Sequence, residues 1–519
     1  MSTTVFSRLF RISVLSLLPA VFSFTSANFA RAQSAKTSPS PTAAVPAKPA
    51  PGAPAADAIN LPPFPKDAHI EQTVAVNGRT LHYTATVGKL AVRDKTGKTI
   101  GEVVYTAYTM PGKDRPVTFA FNGGPGASSV YLNLGAIGPK HLDFGNAGES
   151  PSNAPTLTDN PGTWLDFTDL VFIDPIGTGF SRALVPEAEA KKDFYSTVPD
   201  IEYLSRVVYD WLQTNDRMTS RKYLVGESYG GFRGPRILYY LQSKLGVGMN
   251  GMVLVSPYLN PTVESHGDLS PIPWMVTLPS ITAAHLEREK QLTPEAMAGV
   301  IAYTQGTYAT TLIAGRSNPA ATQAMIQRVT EMTGLDPTFV KQSGGRLETE
   351  AYLREAYREQ GKIGSIYDSN VTSYDPFPYS PYQKANDPIL AAIVAPTTEA
   401  MVNFITNTVG WKVDGAQYNA LSDDVNRLWV GGAALRAGSV TQLRQAVAAD
   451  PNLRVIIAHG WNDLSCPFMG SLLTVEQMPV MGDPSRVAVR EFPGGHMFYS
   501  RESSRMALHK DVEAMYQAH

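Results

Sequence analysis

The chain has 519 residues, is 43% hydrophobic and 17% charged, and carries a net charge of −2. That length and apolar content bury a large core, in one big domain with an insertion or in two domains. The near-neutral balance without a basic stripe argues against a nucleic-acid partner, and the low charged fraction argues against a disordered chain.

The first elements are targeting signals rather than fold. Arg8 and Arg11 form a positive start, and Ile12 to Phe24 is an apolar run too short for a comfortable membrane span. Ala30-Arg31-Ala32 has the small-residue form of a cleavage site. The expectation is a signal peptide over residues 1–32 and a mature protein that starts at Gln33. That protein is exported, to a periplasm or outside the cell, and has no membrane span; an uncleaved anchor is the alternative. Residues 33–60 are rich in Ala, Pro, Ser and Lys, which reads as an extended linker. Export permits disulfides, but Cys466 is the single cysteine, so the chain can form no internal disulfide.

Strand signals come next, at Glu71–Val76, Thr80–Val87, Gly101–Thr109 and Val117–Phe121, with Asn77-Gly78 as a hairpin turn. Short apolar runs follow at Leu170–Ile173, Lys222–Val225, Met252–Val255, Arg454–Ala458 and Val487–Phe492. Helical segments separate them, as in a buried, mostly parallel sheet. Between Pro261 and Asn426 helical periodicity takes over, for example at Pro294–Tyr308 and Pro319–Met332. The expectation is an α/β body over residues 61–260 and 427–519 with a helical cap inserted over 261–426. In that cap the run Tyr367 to Tyr382 is dense in tyrosine and proline. Tyr367, Tyr374, Tyr379 and Tyr382 either line a substrate cleft or belong to a loop packed on the cap.

Gly226-Glu227-Ser228-Tyr229-Gly230 sits between the strand Lys222–Val225 and a helical run from Gly231 to Leu245. A G-x-S-x-G turn from strand to helix lifts a serine hydroxyl clear of a sheet, with a helix N-terminus beside any oxyanion formed there. A serine nucleophile needs a base, and the base needs an orienting carboxylate. In the order Ser, Asp, His, the carboxylate is Asp463, after the strand Arg454–Ala458, and the base is His496, beside Gly494 and Gly495. His459 is the rival base, but it precedes Asp463. The strand Val117–Phe121 ends in Asn122-Gly123-Gly124-Pro125-Gly126, a turn whose backbone N–H groups can face a ligand. One of these with the Tyr229 N–H makes a candidate oxyanion hole. No spacing of His, Cys or carboxylate points to a metal, and no glycine fingerprint points to a dinucleotide cofactor.

These blocks resemble the signatures of the serine carboxypeptidases. The resembling stretches are residues 122–129, Gly226-Glu-Ser-Tyr-Gly-Gly231, Gly495-His-Met497, Asn160-Pro-Gly-Thr-Trp164 and Asp174-Pro-Ile-Gly-Thr-Gly-Phe-Ser181. The resemblance implies an α/β-hydrolase fold and removal of C-terminal residues from peptides or proteins, without a cofactor. It assigns Asn122, Gly123 and Glu227 to the substrate's terminal carboxylate, Gly124 to the oxyanion and Met497 to the leaving-residue pocket. A buried glutamate can face an anionic carboxylate only by sharing a proton with it, which favours acid conditions. Three positions depart from the family's pattern: Ala120 and Ala136 replace a tryptophan and a second acid, and Ala127 a cysteine. The first two leave an esterase or acyltransferase on the same triad as the alternative, with a non-catalytic binding protein a more distant one.

Overall fold

The computed structural model describes residues 61–518, apart from residue 113 and residues 146–148, 264–268 and 381–382. The expected signal peptide, the linker and Tyr382 lie outside the described residues. The strands are β1 (Ala68–Val76), β2 (Arg79–Arg93), β3 (Thr99–Thr109), β4 (Val117–Phe121), β5 (Lys140–Leu142), β6 (Leu157–Asp159) and β7 (Asp169–Ile173). They continue with β8 (Arg182–Ala183), β9 (Lys222–Glu227), β10 (Gly251–Val255), β11 (Lys362–Gly364), β12 (Thr372–Tyr374), β13 (Arg454–Gly460) and β14 (Val487–Phe492).

One sheet carries the order β1-β2-β3-β7-β4-β9-β10-β13-β14, with β8 added on β3. β1, β2 and β3 form an antiparallel entry, and β7 pairs antiparallel with β3. From β7 through β14 every pairing is parallel. This is the α/β-hydrolase arrangement, and the parallel strands present their carboxyl ends along one edge, where open α/β sheets gather their sites.

The central parallel strands are mostly apolar because both faces are covered. Tyr223, Val225, Val253, Val255, Ile456 and Ala458 pack on one side. Leu224, Met252, Leu254, Val455 and Ile457 alternate onto the other. β2 runs past its expected end at Val87 to Arg93, since Gly88 and Lys89 stay in register with Tyr105 and Val104 of β3. Gly88 looks like a break in the sequence, but cross-strand pairing overrides that local signal.

The helical stretch expected as one cap divides between two packings. Helices Ile272–Arg288 and Pro319–Thr333 bury Leu278, Ile281, Met325 and Val329 in a cluster of their own, joined by Leu464. The helix Pro388–Asn403 instead sends Ile389, Ile393 and Met401 into the cluster of the main sheet, beside Tyr83, Tyr108 and Phe172. Periodicity marks an apolar face without saying which surface it covers. Pro388–Thr408 is long and apolar enough to cross a membrane, and here it packs into this core.

Candidate active site

β9 ends at Glu227, and the helix Tyr229–Tyr240 begins one residue later. Between them Ser228 takes φ 59° and ψ −122°, a backbone region costly for a residue with a Cβ. Its neighbours hold it there. The Ser228 N–H donates to the Val255 carbonyl at 3.0 Å, and the Ser228 carbonyl accepts from Gly231 N–H at 2.8 Å and Tyr258 N–H at 3.0 Å. The side chain stays half-buried, on the wall of a cavity of about 270 Å³.

His496 follows β14, and its imidazole Nδ1 lies 2.8 Å from Asp463 Oδ2. Both side chains are buried. The second oxygen of Asp463 accepts from the N–H groups of Ser465 at 2.8 Å and Cys466 at 3.0 Å, so its carboxylate is fixed on both sides. With Nδ1 facing Asp463, Nε2 is the nitrogen left for proton transfer, and His496 lines the cavity with Ser228. The ring of Tyr367 meets that of His496 edge-on at 5.2 Å, and the Tyr367 carbonyl accepts from the His496 N–H at 2.5 Å. His459 is elsewhere, buried on β13 with Nε2 2.8 Å from Ser471 Oγ. Burial pushes it down to about 4, which keeps it neutral in its apolar setting.

Asn122, Gly123 and Gly124 come off the end of β4, the strand beside β9. A Cβ on Gly123 would lie 2.5 Å from the Tyr229 nitrogen, so only glycine allows that approach. Gly124 takes φ 97°, again glycine territory. Asn122, Gly123, Gly124, Tyr229 and Met497 all reach the same cavity.

Glu227 is buried and lines the cavity. Its Oε2 accepts from Asn122 Nδ2 at 2.8 Å and from the Tyr499 hydroxyl at 2.7 Å. Burial pushes its carboxyl up to about 7, although the charge of His496 and these two donors pull the other way.

Several neighbours leave no motif. Arg233, one turn into the helix behind Ser228, donates to the Asn122 carbonyl at 2.8 Å and pairs with buried Asp200 at 2.7 Å. It thereby ties the glycine turn to the serine's helix. Tyr499 and Tyr131 approach Glu227. Asn462, next to Asp463, donates to Glu287 at 2.6 Å, and Glu287 and Asp368 share Arg501. This half-buried charged cluster joins the helical stretch to the loops that carry Asp463 and His496. Of the tyrosine-rich run, Tyr367 lines the cavity, while Tyr374 and Tyr379 are exposed. Cys466 is buried, and it also lines the cavity.

A family model described as serine carboxypeptidase matches residues 86–491. Serine carboxypeptidase-like 36 of Arabidopsis thaliana is 27% identical over 208 residues, 39% of this chain and 40% of that relative. The pheromone-processing carboxypeptidase kex1 of Schizosaccharomyces pombe is 31% identical over 143 residues, 27% of this chain and 25% of that relative. The matched stretches thus span well under half the length of these relatives. Among solved structures, Kex1(delta)p, a prohormone-processing carboxypeptidase from Saccharomyces cerevisiae, aligns with a TM-score of 0.53 at 16% identity. That alignment covers 84% of this chain and 91% of the other, and it is a likeness of fold.

Proposed function

The chain belongs to the serine carboxypeptidase family, and from that premise we propose that it hydrolyses C-terminal peptide bonds through Ser228, His496 and Asp463. Ser228 Oγ attacks the scissile carbonyl carbon as its proton passes to His496 Nε2. Asp463 holds the imidazole by Nδ1 and stabilises its charged form. The N–H groups of Gly124 and Tyr229 receive the oxyanion. Collapse of the tetrahedral intermediate breaks the C–N bond, and His496 returns the proton to the leaving amine. Water then attacks the acyl-enzyme by the same route and regenerates Ser228.

The leaving residue keeps its carboxylate, which Asn122, the Gly123 N–H and protonated Glu227 bind. No arginine or lysine is among the described residues that line the cavity, so this carboxylate has no cationic partner there. Leu390, Leu421, Leu435 and Met497 give the rest of the wall an apolar character, which fits an apolar residue. The observation that carries the reading is the meeting, in one cavity, of a strained serine, a histidine held 2.8 Å from a buried aspartate, and a buried glutamate.

A digest of peptides with free and amidated C-termini, followed by mass spectrometry, tests it. Stepwise loss of single residues from the free acids is expected. Ala120 and Ala136, both buried where the resemblance expects a tryptophan and an acid, favour a second reading as an esterase or acyltransferase. Rapid turnover of simple esters with no loss from peptides would establish that alternative. Labelling of Ser228 by a fluorophosphonate separates either reading from a non-catalytic protein. Export through residues 1–32 is tested separately by N-terminal sequencing from the native host, with Gln33 expected first and a retained Met1 ruling cleavage out.

A further inference from the structure

Glu227 takes one of its two partners, Tyr499, from a place the family pattern does not name. Asn122 Nδ2 and the Tyr499 hydroxyl both donate to Oε2, at 2.8 and 2.7 Å. Among the described residues no group hydrogen-bonds Oε1. Neither donor is free to turn away. Asn122 Oδ1 accepts from the Leu132 N–H at 2.9 Å, which fixes its amide. The Tyr499 ring is fully buried, edge-on to Phe144 at 6.2 Å and to Phe498 at 6.0 Å. Tyr499 also stands three residues past His496, so one short turn carries both the base and this contact.

We propose that Tyr499 is the positioning residue of the carboxylate reader: with Asn122 it fills both lone pairs of Glu227 Oε2, so that the carboxyl proton resides on Oε1 and is offered to the substrate's terminal carboxylate. This rests on the reading of Glu227 given above. A protonated carboxyl has one O–H oxygen and one acceptor oxygen, and an oxygen that already accepts two hydrogen bonds is a poor place for the proton. The tyrosine stays a donor at working pH, because burial pushes its hydroxyl well above the ordinary value. The other groups that face Glu227 are His496 and Asp463 by charge, and the hydroxyls of Tyr131 and Tyr367. Within this frame Tyr499 does part of what the tryptophan and second acid do in the family pattern.

The test compares KM for a free-acid peptide with KM for its amide across pH, in the wild type, in Tyr499→Phe and with 3-fluorotyrosine placed at 499. In Tyr499→Phe the free-acid KM at low pH should rise about 3- to 10-fold against the amide, the effect of one lost hydrogen bond. The pH at which the free-acid KM climbs should move up, since a donor that favours the carboxylate is gone. Fluorotyrosine, a stronger donor, should move it down. A Tyr499→Phe profile that superimposes on the wild type overturns the proposal, as does a fluorotyrosine shift in the same direction as phenylalanine. If Tyr499→Phe fails to fold, the fluorotyrosine protein decides, and an unmoved profile there overturns it. The two failures differ: wild type that treats acid and amide alike removes Glu227 as the reader. A wild-type pH dependence of the discrimination that Glu227→Gln flattens and substitution at position 499 leaves untouched removes Tyr499 alone.

Discussion

The two ends of the cavity are held by different means. At the nucleophile end the backbone does the positioning. Ser228 sits at φ 59°, its carbonyl and N–H are tied to Tyr258, Gly231 and Val255, and Gly123 lies against the Tyr229 amide. At the end proposed to bind the substrate's carboxylate side chains do it, through Asn122, Tyr499 and Glu227. Peptide groups do not titrate, so the first frame is the same at every pH. The second contains a carboxyl pushed up to about 7 by burial, so its chemistry changes within the working range. Catalytic power and substrate choice should therefore separate under mutation and under pH.

The sharpest separation comes from the reacting groups. Ser228→Ala and His496→Ala should each lower kcat by about 10⁴-fold or more, and the double variant should lose little further because the residues act as a unit. Single-turnover assays on a peptide and on an ester should agree. His459→Ala, which does not reach the cavity wall, should leave kcat within about 10-fold, a loss carried mainly by stability. Near-normal turnover by His496→Ala, with His459→Ala inactive, would reverse the assignment of the base. Asp463→Asn comes next, at about 10³- to 10⁴-fold, since it keeps the shape and loses the preferred imidazole tautomer.

A smaller loss probes the backbone frame itself. Gly123→Ala places a Cβ 2.5 Å from the Tyr229 nitrogen and must displace one side of the oxyanion site. Removing one donor of such a site costs about 10²- to 10³-fold in kcat. The kcat loss should be equal for amidated and ester substrates, and free acids should show a rise in KM besides, because the Gly123 N–H is also assigned to their carboxylate. A loss confined to free acids would mean that this turn serves the carboxylate alone.

The same division explains what was legible in the sequence. A backbone device needs neighbouring residues of the right kind, so Gly226 to Gly230 and Asn122 to Gly126 read as motifs, and the strands around them read as short apolar runs, though not their order in the sheet. Asp463 and His496 were legible because each follows its own strand. The Tyr499–Glu227 contact joins residues 272 apart, and Arg233 meets Asp200 across 33, with no spacing that announces either pair. The helical stretch 261–426 was legible as helix, yet its division between two cores was not, because an apolar face looks the same whichever surface it meets. Tyr374 and Tyr379 show the converse, aromatic residues that suggested a cleft and face solvent instead.

The smallest expected effect is the one that defines the carboxylate end. Glu227 stands at about 7 against an ordinary 4.5, with burial the largest cause. The reader is competent only with its proton, and apparent affinity scales with the competent fraction. The ratio of KM for a free-acid peptide to KM for its amide should therefore be flat below about pH 7. It should climb roughly tenfold per unit above it, as two like charges come to share a poorly solvated pocket. The ratio cancels effects on the chemical step, which is shared by both substrates. Glu227→Gln should flatten the ratio, because an amide donates at every pH. Stability follows the same proton. The folded state holds it more tightly than the unfolded chain, so the contribution of Glu227 is full below 4.5 and is lost as pH rises through about 7. Thermal melts of the wild type and Glu227→Gln should thus converge at the acid end and part, in favour of the glutamine variant, on the neutral side. A KM ratio that stays level from pH 5 to 8 would show that this end of the cavity does not read the carboxylate through Glu227, and the ester-cleaving reading would then take precedence.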